Sequence, residues 1–279
     1  MRGANRSSPA GRVIRRWVAS VAVVLALAAC GGNDEPVYIE RPVEDLYNTA
    51  MNQLAAENYP EAARLFDEVE RQHPYSAWAA KAQLMAAFAH YQDSKYDETV
   101  ITLDRFIDLH PGHKDIAYAY YLRGISYYEQ ISDVARDQKM TRLALENLGA
   151  IVQRFPESKY ARDAAFKMDL TRDHLAGKHM TIGRYYQRQG EFLAAINRFR
   201  LVIKDYQTTT HAPEALHRLV ECYMAIGVTN EAQATAAVLG YNYPGTEWYA
   251  DSYALLTGVD VMPEEQEGSW ISRTWNAVF

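Results

Sequence analysis

The sequence predicts an all-α fold, a solenoid of five helix-turn-helix repeats between residues 43 and 244. Two observations carry that expectation. Short breaks recur at His73-Pro74-Tyr75-Ser76, His110-Pro111-Gly112-His113, Phe155-Pro156-Glu157-Ser158 and Tyr243-Pro244-Gly245-Thr246, with Tyr206-Gln207-Thr208-Thr209 in the remaining slot. Proline disfavours helical geometry in the residue before it, and a Ser or Thr just after can cap the next helix. The other observation is a pattern ahead of each break. Twelve residues back stand Ala62, Thr99, Ala144, Ala195 and Ala232. Eight back are Phe66, Leu103, Leu148, Phe199 and Ala236, and five back are Val69, Phe106, Ile151, Val202 and Leu239. Offsets of four and three put each trio on one helix face. The small residue lets a paired helix approach, and the bulky ones fill the groove between neighbours. Composition agrees, since 48% hydrophobic residues with 15 Gly and 10 Pro is globular. Two Cys are too few for a disulfide scaffold.

Taken in chain order, residues 1–29 carry five Arg, no acidic residue, and a mostly apolar run from Trp17 to Ala29. That run is short for a permanent membrane span, and basic-then-apolar order reads as an export signal. It ends in Leu27-Ala28-Ala29-Cys30-Gly31-Gly32, small residues leading to a Cys whose thiol can carry a lipid. Residues 30–42 lack any apolar period and read as a flexible tether. Removing the five signal Arg from 29 basic residues leaves 24 against 35 acidic ones, a charge of −11. So acidic a body argues against a nucleic-acid partner, because phosphate contacts need clustered Lys and Arg.

Within the repeats, Ile131 to Met140 is polar, carries Arg136-Asp137-Gln138, and is expected as a surface loop in the third repeat. Apolar residues recur through Tyr160, Phe166, Leu170, His174, Ile182 and Tyr186, which predicts one long helix from about Ser158 to Gln189. Residues 245–279 are expected to form a capping helix, Thr246 to Leu256, and a loose, partly acidic tail. Reactive chemistry is hard to find. Neither H-E-x-x-H, G-x-S-x-G, C-x-x-C nor a Gly-rich phosphate loop occurs. His110 and His113 straddle a Pro-Gly turn, so their expected role is to end one helix and begin the next. His174 and His179 lack the spacing for one helix face, and Cys222 sits among apolar residues as a core thiol. Neither an enzyme, a metal nor a cofactor is expected. The 20 Tyr include Tyr59 and Tyr96, which open helices at matching repeat positions and read as packing.

Two resemblances add to this reading. The small residue, aromatic and Pro at these offsets, with Gly183, Tyr186 and Tyr223, resemble the tetratricopeptide repeat, a helix-turn-helix unit of about 34 residues. The segment around Cys30 resembles the bacterial lipobox, which implies cleavage before Cys30 and its lipidation. Gly31 after the Cys resembles lipoproteins sent on to the outer membrane. More narrowly, four features together resemble the BamD family of outer-membrane assembly lipoproteins. They are the lipobox, Leu103 to Pro111, Ile116-Ala117-Tyr118-Ala119-Tyr120-Tyr121-Leu122-Arg123-Gly124, and Tyr185-Tyr186 with Asn197-Arg198. That resemblance implies a non-enzymatic scaffold, facing the periplasm, that docks on the periplasmic domains of BamA alongside other Bam lipoproteins. It further implies recognition of C-terminal signals in unfolded outer-membrane proteins. Arg198, with Asn197, matches the family position that contacts BamA; the alternative is a solvated Arg beside Arg200. Position 198 is about 100° around the helix from Phe199, which points it toward solvent. Tyr118, Tyr121 and Arg123 are candidate readers of the substrate peptide, or else core tyrosines with a structural Arg. Another repeat lipoprotein, a secretin pilotin or a cell-division coordinator, is the competing class.

Overall fold

The computed structural model describes residues 40–258, which hold eleven helices. They come in antiparallel pairs. α1 (Val43–Ala55) is followed by α2 (Tyr59–Gln72), α3 (Ala77–Gln92) by α4 (Tyr96–Leu109), and α5 (Ile116–Glu129) by α6 (Lys139–Arg154). Next come α7 (Ala161–Arg188) with α8 (Phe192–Asp205), α9 (Ala212–Ala225) with α10 (Thr229–Asn242), and the closing helix α11 (Glu247–Thr257). Each helix packs on its chain neighbours. The second-neighbour contacts α1–α3, α3–α5 and α5–α7 join the first helices of successive pairs, and α9–α11 joins the last first helix to the closing helix. Buried apolar residues form five clusters that succeed one another along the array. Nearest-neighbour packing of this kind is what makes a solenoid.

All fifteen residues of the three pattern columns are 0% exposed. The breaks also share one geometry. His73, His110, Phe155, Tyr206 and Tyr243 close their helices with φ between −130° and −137°. In each case the backbone N–H donates to the carbonyl of the third-column residue four positions back. Tyr206 reaches this conformation without a following Pro, so the break is set by the packing of the repeat and only reinforced by proline. The turns inside the pairs are equally regular. Glu57, Ser94, Gly190 and Gly227 each occupy the left-handed region, with φ of 59°, 58°, 77° and 75°. The third pair is the exception, and there the inserted loop makes the connection.

The long helix of the fourth repeat is α7, 28 residues, and the capping helix is α11. Ser76 and Thr246 cap α3 and α11, accepting from the backbone N–H groups of Ala79 and Tyr249. Ser158 does not cap α7, which begins after Tyr160, and its buried hydroxyl has no hydrogen-bond partner. Two further expectations need correction. Lys139 and Met140 belong to α6, and Gln138 is buried rather than on the surface. Its amide nitrogen donates to the carbonyls of Asp133, Val134 and Arg136 at 3.3, 3.4 and 3.0 Å, which holds the loop closed on itself. On α7, Phe166 and Leu170 are exposed, 61% and 44%. The buried stripe instead runs through small residues such as Ala164, Ala176, Gly177 and Gly183, because α7 must lie close to both neighbours.

Gly183 marks the closest of these approaches. A Cβ there would stand 2.5 Å from Cε1 and 2.8 Å from Cζ of the fully buried Phe199. A ring in a filled core cannot yield by that much. Gly183→Ala is therefore expected to destabilise the protein by about 1–3 kcal/mol despite alanine's better helix propensity. Chemical denaturation read by circular dichroism checks this, and an unchanged or raised midpoint would show that α7 and α8 are less tightly packed.

Candidate functional site

The fourth repeat places Asn197 and Arg198 on α8 between Ala195 and Phe199, which turn inward. Asn197 is exposed as expected, but Arg198 is only half exposed. The reason lies outside its own helix. The third-repeat loop folds back over this flank and is fastened to α7 by Lys178, whose Nζ donates to the Ala135 carbonyl at 2.8 Å. Arg198 thus sits on the wall of a crevice of about 460 Å³ between the loop, the start of α6, α7 and α8. Arg200, two residues on and about 200° around the helix, is exposed on another flank.

The crevice is strongly cationic. Arg136, Arg142, Lys178 and Arg198 line it against one carboxylate, Asp137, over a floor that includes Leu175, Ile182 and Tyr206. Asp137 reaches Arg142 at only 4.0 Å. Among the described residues Arg198 has neither a hydrogen bond nor an ion pair. His179 stacks on Tyr206, with ring centroids 5.8 Å apart. Burial and then the nearby Arg198 charge push the His179 pKa below its ordinary value, with Asp205 opposing. The free guanidinium of Arg198 suits an incoming anion, which would find unspent positive charge there.

The candidate peptide readers do not form one group. Tyr118 packs against Tyr160 at 5.5 Å, and Tyr121 stacks on the same ring at 5.0 Å. The Tyr121 hydroxyl donates to Asp163 Oδ2 at 2.5 Å, and Lys167 reaches the same carboxylate. Burial pushes both phenols well above their ordinary pKa, reinforced by Tyr160 at Tyr118 and by the Asp163 carboxylate at Tyr121, so both stay neutral. These half-buried rings join α3, α5 and the start of α7. Arg123 lies on the other side of α5. Its Nη1 donates to Asp104 Oδ1 on α4 at 2.5 Å, and its guanidinium lies 5.0 Å over the Tyr120 ring. Five residues along a helix is about 140° of rotation, so Arg123 cannot share a face with Tyr118. Arg123 therefore ties α5 to α4, while Tyr118 and Tyr121 stay half-buried on a different face of α5.

A third polar cluster gave no signal in the sequence. His217 on α9 is 5% exposed, 2.8 Å from Ser252 Oγ on α11 through Nδ1 and 3.4 Å from Glu221 Oε1 through Nε2. Since a carboxylate only accepts, Nε2 carries the proton in the neutral ring, and Nδ1 accepts from the Ser252 hydroxyl. Burial pushes the Glu221 pKa up, but hydrogen bonds from His217, Gln187 and Arg218 outweigh it and hold the carboxyl at about 2. Arg184 of α7 pairs with Glu214 at 2.9 Å. Ser252 is fully buried, so this chain of groups fastens α11 and α7 to α9 and offers no nucleophile to solvent. Cys222, also buried, has its thiol pushed up to about 12 by burial, as a core residue should.

Helix pairs with these packing columns define a tetratricopeptide-repeat protein. Solved structures of that fold resemble it loosely. The repeat domain of P58(IPK) covers 84% of this chain and 64% of its own at 14% identity, with a TM-score of 0.40. A thermophilic repeat protein of Thermus thermophilus covers 78% of this chain and all of its own at 17% identity, with a TM-score of 0.36. Sequence comparison is far more specific. The family model described as "YfiO: Outer membrane lipoprotein" matches residues 39–239, and the chain belongs to that family. Relatives named "Outer membrane protein assembly factor BamD" include those of Caulobacter vibrioides, 50% identical over 88% of this chain and 82% of the relative, and Rickettsia prowazekii, 44% identical over 85% and 95%. The Neisseria meningitidis serogroup A relative of the same name is 35% identical over 83% and 92%.

Proposed function

We propose that this chain is a lipid-anchored, periplasm-facing scaffold of outer-membrane β-barrel assembly. The observation that carries the reading is the 50% identity with a BamD assembly factor across 88% of the chain. In this reading the Arg198 edge of α8 docks on the periplasmic domains of BamA. The tyrosine surface of α3, α5 and α7 receives the C-terminal segments of unfolded outer-membrane proteins, and the other Bam lipoproteins share the complex. A rigid stack of helix pairs supports both tasks, since its successive first helices offer an extended binding surface. Attachment falls to Cys30, which lies outside the described residues, as do residues 30–39 of the tether and the tail beyond residue 258. Among the described residues no helix is long and apolar enough to cross a membrane.

The test is gentle detergent purification of the tagged full-length protein from its own membranes, followed by identification of what accompanies it. BamA and further assembly lipoproteins are expected; a secretin or a division-site complex in their place would overturn the reading. Cys30→Ala should leave the repeats folded but release the protein from membranes. Acyl burial supplies roughly 0.8 kcal/mol per methylene, and stable anchoring takes two chains or more. Fractionation of that variant wholly with the outer membrane would mean that lipid is not the main anchor.

A further inference from the structure

We propose that the crevice beneath the third-repeat loop accepts an acidic segment of the docking partner carrying at least two carboxylates, one for Arg198 and one for Arg136 and Arg142. The proposal rests on the docking reading above and extends it to a second element, the loop, and to a stated partner chemistry. Four cations face a single carboxylate there, in a chain where acidic residues outnumber basic ones, 35 to 29. Such local inversion of charge favours an anionic occupant. The cations also divide by wall. Arg198 stands on α8, whereas Arg136 and Arg142 stand on the loop and the first turn of α6. Lys178 is already spent on the Ala135 carbonyl, where it holds the loop in place at 2.8 Å.

Within the loop wall Asp137 lies 4.0 Å from Arg142, too far for a tight ion pair. A partner carboxylate with better geometry can take over Arg142, because a guanidinium offers several donors in a fixed fork. Leu175, Ile182 and Tyr206 give the floor an apolar character that suits the methylenes of glutamate. At about 460 Å³ the space falls within the range of ligand clefts and takes a pair of side chains rather than a folded surface. Gln138 matters indirectly. By tying three loop carbonyls together it gives Arg136 and Arg142 a fixed backbone from which to reach.

The experiment measures binding of purified BamA from the same organism to the full-length lipoprotein in detergent micelles, at low and high salt. The variants are Arg198→Glu, the pair Arg136→Glu with Arg142→Glu, and all three together. Arg136 and Arg142 are exposed, so parent-like melting is expected, and Gln replacements serve if the reversed pair melts early. Expected is a loss of at least tenfold for the pair at low salt, recovery to within threefold when both are Lys, and a triple variant less impaired than the product of the separate losses. If Arg198→Glu weakens BamA while the pair binds within twofold of the parent, the docking reading stands and the crevice proposal falls. If no variant weakens BamA, both fall. Unchanged BamA binding with loss of retention on vesicles rich in anionic phospholipid would make the occupant a lipid headgroup and overturn the proposal.

Discussion

Phe199→Ala is expected to cost about 3–5 kcal/mol, the range for truncating a fully buried ring. The ring is fully buried and packs in a cluster with Ala176, Met180, Val202, Ala215, Leu219 and Cys222, drawn from three helices. It also fills the space left by Gly183 on α7. Rigid helices on three sides limit how far the site can collapse, so a cavity penalty adds to the lost transfer free energy. The loss should be local. Hydrogen exchange is expected to quicken in α7, α8 and α9 while α1 to α4 keep their protection, since a solenoid passes stability only between neighbours. Uniform loss through all eleven helices would argue for one cooperative core.

The array was legible because its signals repeat. A small residue followed four and seven positions later by bulky ones is weak evidence once and strong evidence five times over, and all fifteen positions proved buried. Ser76 and Thr246 were readable as caps for the same reason, since their role depends on adjacent backbone. Features set by tertiary context were not. The half-burial of Arg198 depends on a loop some sixty residues earlier, which no periodicity on α8 could reveal. Gln138 looked like surface because its composition is polar, although its amide satisfies three loop carbonyls from inside. Phe166 and Leu170 helped mark α7 as one long helix, yet they lie exposed, and the buried stripe runs through Ala164, Ala176, Gly177 and Gly183 with Thr171, Leu175 and Met180. Arg123 lay in a recognisable stretch with Tyr118 and Tyr121, and only the helix rotation separated it from them. The clasp of His217, Glu221 and Ser252 joins groups on two helices, so nothing local in the sequence announced it.

Arg198→Glu is expected to abolish most association with BamA while changing stability by no more than roughly 0.5 kcal/mol, as for a site outside the packed core. The two effects separate because Arg198 contributes to no hydrogen bond or ion pair within the described residues, so folding loses little by its replacement. Association has more to lose. A guanidinium held on a rigid helix can form a bidentate pair with a partner carboxylate. In the proposed interface reversal would replace that pair with two like charges, and truncating a buried charge pair costs about 2–5 kcal/mol even before repulsion is added. Arg200→Glu, on another flank of the same helix, should bind nearly as the parent does and so controls for net charge. The decisive measurement is the yield of BamA recovered with tagged full-length protein from membranes, compared between parent, Arg200→Glu and Arg198→Glu at matched expression. BamA is expected with the first two and largely lost from the third; recovery of BamA in equal amount with Arg198→Glu would contradict the docking surface assigned to α8.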